Sequence, residues 1–243
     1  GRECFSQSTG GVSDVGMIIG AWSQSVSSFE NTFNAGQLSF SGSAPEGFSS
    51  WTSNIQSNPS IEDGTSYFQT TLYTGNGSTR SIDQSGNSSF QPDLVWLKNR
   101  DTTDEHKWVD AARAVQKEIS SDSTSAESTN SNGLTSFDSN GFGLGTGADG
   151  YNDDSETFVA WQWLAGGGSG SSNTDGSINT TTTSVNTTSG ISISPYTGTG
   201  STATIGHGLG AVPKMILIKN RSATNAWAVY HASASSAPET DYL

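Results

Sequence analysis

The chain has 243 residues and a formal net charge of −13, from 10 basic and 23 acidic side chains. That balance excludes binding through a phosphate backbone, which needs clustered Lys and Arg to displace counterions. The single cysteine, Cys4, excludes an internal disulfide framework, and no apolar run approaches the roughly 20 residues of a membrane helix. Neither nucleic acid nor membrane insertion is therefore expected.

Ser and Thr make up about three residues in ten, with 29 Gly, yet 7 Trp, 10 Phe and 6 Tyr separate the chain from a disordered polar tract. Short strands joined by many tight turns suit such a composition, so the expected class is all-β, built from antiparallel β-sandwich units of lectin-like or jelly-roll type.

Residues 67–73, Tyr-Phe-Gln-Thr-Thr-Leu-Tyr, read as a strand running into a Gly-Asn-Gly turn. Leu94 to Leu97 follow Pro92 as four consecutive apolar residues, the pattern of a strand covered on both faces. Trp108-Val109 opens another apolar piece, and Ala111 to Ile119 reads equally as helix or strand. Leu134 to Leu144 predicts a hairpin turning at Asn140-Gly141. Phe158 to Leu164 is a strand whose alternation sets Val159, Trp161 and Trp163 on one face. Gly166 to Ser189 has the composition of a flexible linker.

The chain also repeats itself. Tyr73-Thr74-Gly75-Asn76-Gly77 returns as Tyr196-Thr197-Gly198-Thr199-Gly200 at an offset of 123. Pro92 to Arg100 returns as Pro213 to Arg221 at 121, and Trp108 matches Trp227 at 119. A period this long fits a small domain duplicated in tandem. The expected organisation is thus a preceding domain over 1–65, a complete unit over 66–165, a linker over 166–189 and an incomplete second unit over 190–243, which cannot finish its own sheet. Without an initiator methionine, and stopping inside the second copy, the chain reads as a piece of a longer one.

The series Tyr-Thr-Gly-Asn-Gly, Pro-Asp-Leu-Val-Trp-Leu-Lys-Asn-Arg, Leu-Thr-Ser-Phe-Asp-Ser-Asn-Gly-Phe and Glu-Thr-Phe-Val-Ala-Trp-Gln-Trp resembles a repeated β domain of uncharacterised function in tailed-phage structural proteins, many of them marine. Residues 33–51, from Phe33 through Pro45-Glu46-Gly47-Phe48 to Trp51, look like the end of a SPRY-type, lectin-like sandwich. One departure stands out: where the resembled domain reads Asp-Ser-Val-Arg-Gly from Asp110, this chain carries Ala114 in place of the Gly. The resemblance implies a non-enzymatic virion component, a tail fibre or tail-associated adhesin. Its partners would be a host-surface glycan or protein and other virion proteins, in the homotrimer that fibre proteins often form. The alternative is a carbohydrate-binding module of a secreted or cell-surface protein.

Gly145-Thr146-Gly147-Ala148-Asp149-Gly150 matches a dinucleotide fingerprint in form only, since no helix is predicted after it. Asp149, Asp153, Asp154 and Glu156 crowd one loop and read as a solvated acidic loop, with calcium as the one cofactor their hard oxygens suit. His106, His207 and His231 are too scattered for zinc. Trp161 and Trp163 read as a core stripe, or else as an exposed platform for stacking on sugars. Lys98-Asn99-Arg100 and its copy Lys219-Asn220-Arg221 are contact candidates, charged and repeated at strand ends, against the plainer reading of solvated termini. No catalytic residue emerges, because nothing places a general acid opposite a nucleophile.

Overall fold

The computed structural model describes residues 60–146 and 149–234. The SPRY-like end expected over 1–65 lies, up to residue 59, outside them. The described residues are almost entirely β, and their strand ladders are antiparallel. A 3-10 turn, Gly64–Ser66, precedes β1 (Phe68–Thr74), β2 (Arg80–Asp83), β3 (Leu94–Asn99), β4 (Lys107–Asp110), β5 (Lys117–Ser120), β6 (Ser128–Thr129), β7 (Leu134–Asp138), β8 (Gly141–Leu144) and β9 (Thr157–Trp163). Four more strands follow: β10 (Ser184–Asn186), β11 (Ile191–Ile193), β12 (Met215–Ile218) and β13 (Ala228–His231).

A six-stranded sheet in the order β1-β9-β3-β4-β5-β6 and a three-stranded sheet in the order β2-β8-β7 enclose the core. Val95 and Leu97 of β3, Val109 of β4, and Phe158 and Ala160 of β9 meet Ile82, Leu134, Phe142 and Leu144 from the smaller sheet, with Tyr151 between. Strict alternation in β9 puts Phe158, Ala160 and Gln162 inside, and Val159, Trp161 and Trp163 on the other face. The reading of that Trp stripe as core is therefore corrected. The inner face of β9 is carried by its unassuming residues, because Ala160 leaves room for the large rings of the opposite sheet.

Two local expectations shift. The ambiguous stretch Ala111–Ile119 is neither one helix nor one strand; a turn runs to Gln116 and β5 begins at Lys117. Ala114 sits in that turn at φ 81°, the left-handed region that suits the Gly of the resembled pattern. The β7–β8 hairpin turns at Ser139-Asn140, one residue early, and Gly141 is the first residue of β8, paired with both Asp138 and Asp83. A Cβ on Gly141 would lie 2.0 Å from the Ile82 carbonyl oxygen, so this glycine serves close strand approach rather than the turn.

Residues 166–189, expected as a flexible linker, instead pack on the first unit. Asp93 is fully buried and accepts the backbone N–H groups of Ala165 (2.7 Å), Gly167 (2.8 Å) and Gly168 (2.6 Å). Gly167 and Gly168 reach it at φ 76° and 146°, conformations that their missing Cβ permits. Burial pushes the Asp93 carboxyl above its ordinary range, a rise the three amide donors oppose. Thr182 Oγ1 donates to the Ala112 carbonyl at 3.0 Å, and β10 pairs with β11.

β10, from the stretch expected as a linker, pairs with β11, and β12–β13 forms a separate ladder. The β12–β13 hairpin reproduces β3–β4: Met215 opposes His231 as Leu94 opposes Asp110, and Ile218 opposes Ala228 as Leu97 opposes Lys107. Ala232 N–H donates to the Lys214 carbonyl as Ala111 N–H does to that of Asp93, each at 2.8 Å. The offset of 121 thus holds across both strands, which sets Trp227 at the hairpin position of His106 rather than of Trp108.

Candidate functional site

The outer face of the six-stranded sheet carries a row of tryptophans. Register alone puts Trp161 of β9, Trp96 of β3 and Trp108 of β4 side by side, since Trp96 is the direct partner of both others. Neighbouring strands lie about 4.8 Å apart, so wide indoles at matched positions must touch. Ring centroids are 5.4 Å apart for Trp161 and Trp96, 5.6 Å for Trp96 and Trp108, and 5.4 Å for Trp108 and Trp227. Trp163 joins Trp96 at 6.4 Å and is met by Phe68 of the edge strand at 4.9 Å. His106 borders Trp96 at 6.2 Å.

Interplanar angles of 22° and 25° along Trp96, Trp108 and Trp227 show indoles leaning on one another like books. Their faces serve each other, and their edges form the surface. All five tryptophans keep partial exposure, while Phe68 is 40% and Leu72 64% exposed beside them. The Trp96 indole N–H is buried with no hydrogen-bond partner; such an orphan costs about 1–3 kcal/mol. The result is an aromatic and aliphatic patch on the outer face of the sheet, the kind of surface that marks an interaction site.

Trp227 comes from the second copy and is held there. Its indole N–H donates to the Ser120 carbonyl at 3.0 Å. Arg221 grips Glu127 through Nε at 2.7 Å and Nη2 at 2.9 Å, while Arg113 reaches the same carboxylate at 3.0 Å and Asp110 at 2.6 Å. Burial would raise the Glu127 carboxyl, but the hydrogen bonds from Arg221 and Arg113 outweigh it and hold the group below the usual carboxylate range. The bond to Glu127 in turn raises the Arg221 guanidinium.

The basic strand ends prove to be largely internal fasteners. Lys98 Nζ donates to the carbonyls of Thr102 (2.8 Å) and Asp104 (2.9 Å), and Asn99 is fully buried. Lys219 Nζ donates to the carbonyls of Thr124 (3.2 Å) and Asn220 (2.9 Å), Asn220 bonds Asn225 at 3.0 Å, and Arg221 holds Glu127. Each hairpin loop leaves carbonyls without ladder partners, and these side chains are the nearest donors. Arg100 alone of the six is exposed without a side-chain bond among the described residues.

Of the four acidic loop residues, Asp153 and Glu156 come together, joined by Asp104 from the β3–β4 loop, with one oxygen of each within 4.8 Å of the others. Asp149 and Asp154 are not part of this group. Asn99 Nδ2 donates to Asp104 at 3.0 Å and also to Glu156, so two of the three carboxylates already share a donor; Asp153 accepts the Gly150 N–H at 3.0 Å. These are the carboxylates placed to share a hard cation. Asp104 was invisible to sequence reasoning because only the folded Asn99 links it to a loop some fifty residues away. Trp96, Trp108 and Trp227 were missed as site residues for a similar reason: their alignment depends on cross-strand register.

The model of a family described as "Domain of unknown function (DUF7483)" matches residues 63–243. No curated protein matches the chain, and no solved structure does.

Proposed function

We propose that this chain, which belongs to the DUF7483 family over residues 63–243, is a non-enzymatic binding module that meets a host-surface glycan through the outer face of its six-stranded sheet. Its setting is a virion tail fibre or tail-associated adhesin. The observation that carries the reading is the tryptophan row on the outside of the sandwich, where packing of the core does not require it. Sugars carry apolar C–H patches, which the indole edges and the exposed Phe68 ring on this face can cover. The row crosses β9, β3 and β4, so it suits an extended chain. A net charge of −13 favours neutral or cationic glycan over anionic polymer.

A glycan array probed with the full chain, wild type and Trp161→Ala, tests this. Binding to at least one glycan, weakened about ten-fold or more by the substitution, is expected. No binding to any glycan, or binding indifferent to Trp161, overturns it. Release of reducing ends from a bound polysaccharide would overturn the non-enzymatic part. The same face would serve a carbohydrate-binding module of a secreted or cell-surface protein, and antibody labelling of virions in the electron microscope separates the two settings.

A further inference from the structure

The loop of the second hairpin, residues 219–227, docks on residues 120–127 of the first unit through backbone and side chains alike. Glu127 N–H donates to the Arg221 carbonyl at 2.9 Å and Asn225 N–H to the Thr124 carbonyl at 3.0 Å, and that carbonyl also accepts Lys219 Nζ at 3.2 Å. The paired bonds from Arg221 to Glu127 and the bond from the Trp227 indole to Ser120 complete the contact. Fastened along its whole length, the loop fixes where the half-buried Trp227 stands.

That place is where the first unit runs out of indoles. Directly opposite Trp108, β5 offers Ile119 on the same outer face, so the strands of the first unit end the tryptophan row at β4. Ile119 is only 7% exposed, and the Trp227 indole N–H is bonded to the carbonyl of the very next residue, Ser120. Trp227 therefore carries the row one ring further, at 5.4 Å from Trp108, than the first unit does by itself. The second hairpin keeps no matching pair on its own strands: Leu217 opposes Val229 where Trp96 opposes Trp108. Its tryptophan stands instead in the loop, at the position that His106 holds in the first copy.

Resting on the glycan reading above, we propose that the site is shared between the two copies and that Trp227 is the residue that sets the length of glycan it reads. Short oligosaccharides are held at Phe68, Trp161 and Trp96, and longer ones also cover Trp108 and Trp227. Arg221 and Glu127 are positioning residues, acting on the glycan only through the place they give Trp227. The second hairpin then completes one surface rather than repeating it.

The test is the same glycan array read by oligosaccharide length, with the full chain as wild type, Trp161→Ala, Trp227→Ala, Trp227→Phe, Arg221→Ala and the double variant Arg221→Ala/Trp227→Ala. Trp161→Ala is expected to weaken binding at every length. Trp227→Ala is expected to weaken the longest bound glycans about ten-fold and to leave the shortest unchanged, while Trp227→Phe, which keeps a ring, retains most of the binding. Arg221→Ala weakens the same long glycans by less, and the double variant is no weaker than Trp227→Ala alone, because both changes act through one residue. Should Trp227→Ala not fold, Arg221→Ala carries the length test. Equal loss at every length, or losses that multiply in the double variant, overturns the proposal. Binding that falls with Trp161→Ala and is indifferent to Trp227→Ala at all lengths overturns it alone, whereas a wild type that binds no glycan removes the glycan reading and this inference together.

Discussion

Two hairpins with one pattern have opposite fates here. β3–β4 sits at the centre of a six-stranded sheet over a packed core, while among the described residues β12–β13 is a two-stranded ladder with Met215 to Ile218 exposed. Their strand residues are interchangeable in kind; what surrounds them is not. The first copy closes its corner with the buried set Asp93, Asp110 and Arg113, and the positions at an offset of 121 hold Lys214, His231 and Ala234. A lysine cannot accept the three amides that Asp93 takes, and an alanine cannot pair with a buried carboxylate. Strands of similar pattern therefore become core or surface according to a few polar residues at their ends and the strands available to cover them.

The comparison breaks most sharply at Arg113. Arg113→Met leaves Asp110 buried without its partner, both side chains being 4% exposed, and is expected to cost about 3–5 kcal/mol. Ala234→Arg in the second copy is expected to stay within about 0.5 kcal/mol. Urea unfolding measures both, and equal effects would dissolve the distinction. Next, Leu97→Ala, at 1% exposure, should lose about 2–5 kcal/mol, and Ile218→Ala, at 44%, less than about 1 kcal/mol. A large loss at Ile218 would mean that β12 is covered in solution.

Ala114→Gly tests the turn that follows the buried hairpin. Ala114 holds φ 81°, and relief of that conformation is expected to raise stability by about 1 kcal/mol, seen as a higher melting temperature. A small effect belongs to the Arg221–Glu127 pair, worth about 0.5–1 kcal/mol at its partial exposure. The folded Glu127 titrates below its ordinary value of 4.5. Its stabilisation is therefore full above that value and is lost as pH falls through the lower, folded value. The Trp108–Trp227 circular dichroism signal should weaken on acidification through that window, and Glu127→Gln should flatten the dependence.

Much of the sandwich was legible because its signals are local. Pro92 before four apolar residues marked β3, and the alternation of Phe158 to Leu164 marked β9. Alternation says that two faces differ, though not which one is inside; Trp161 and Trp163 out-weigh Phe158 and Ala160 in apolar bulk and yet lie outside, because the facing β2-β8-β7 sheet contributes Phe142 and Leu144 to fill the interior. The basic triplets misled for a related reason. Charge at a strand end looks solvated in one dimension, whereas Lys98 and Lys219 are drawn to loop carbonyls that only the hairpin gathers. Composition likewise took residues 166–189 for a linker, since a glycine's readiness to turn its N–H toward Asp93 has no signature until Asp93 is in place.

By itself the sequence determined the all-β class, the main strands and the duplication of the β3–β4 pattern, because turn chemistry, alternation and repetition act over a few residues. The tertiary structure alone decided which face of each strand is core, which copy is covered, and that tryptophans from β3, β4, β9 and the loop before β13 stand in one row. Those outcomes rest on register and on contacts between distant segments, and a single-residue slip would turn every one of those side chains to the opposite face.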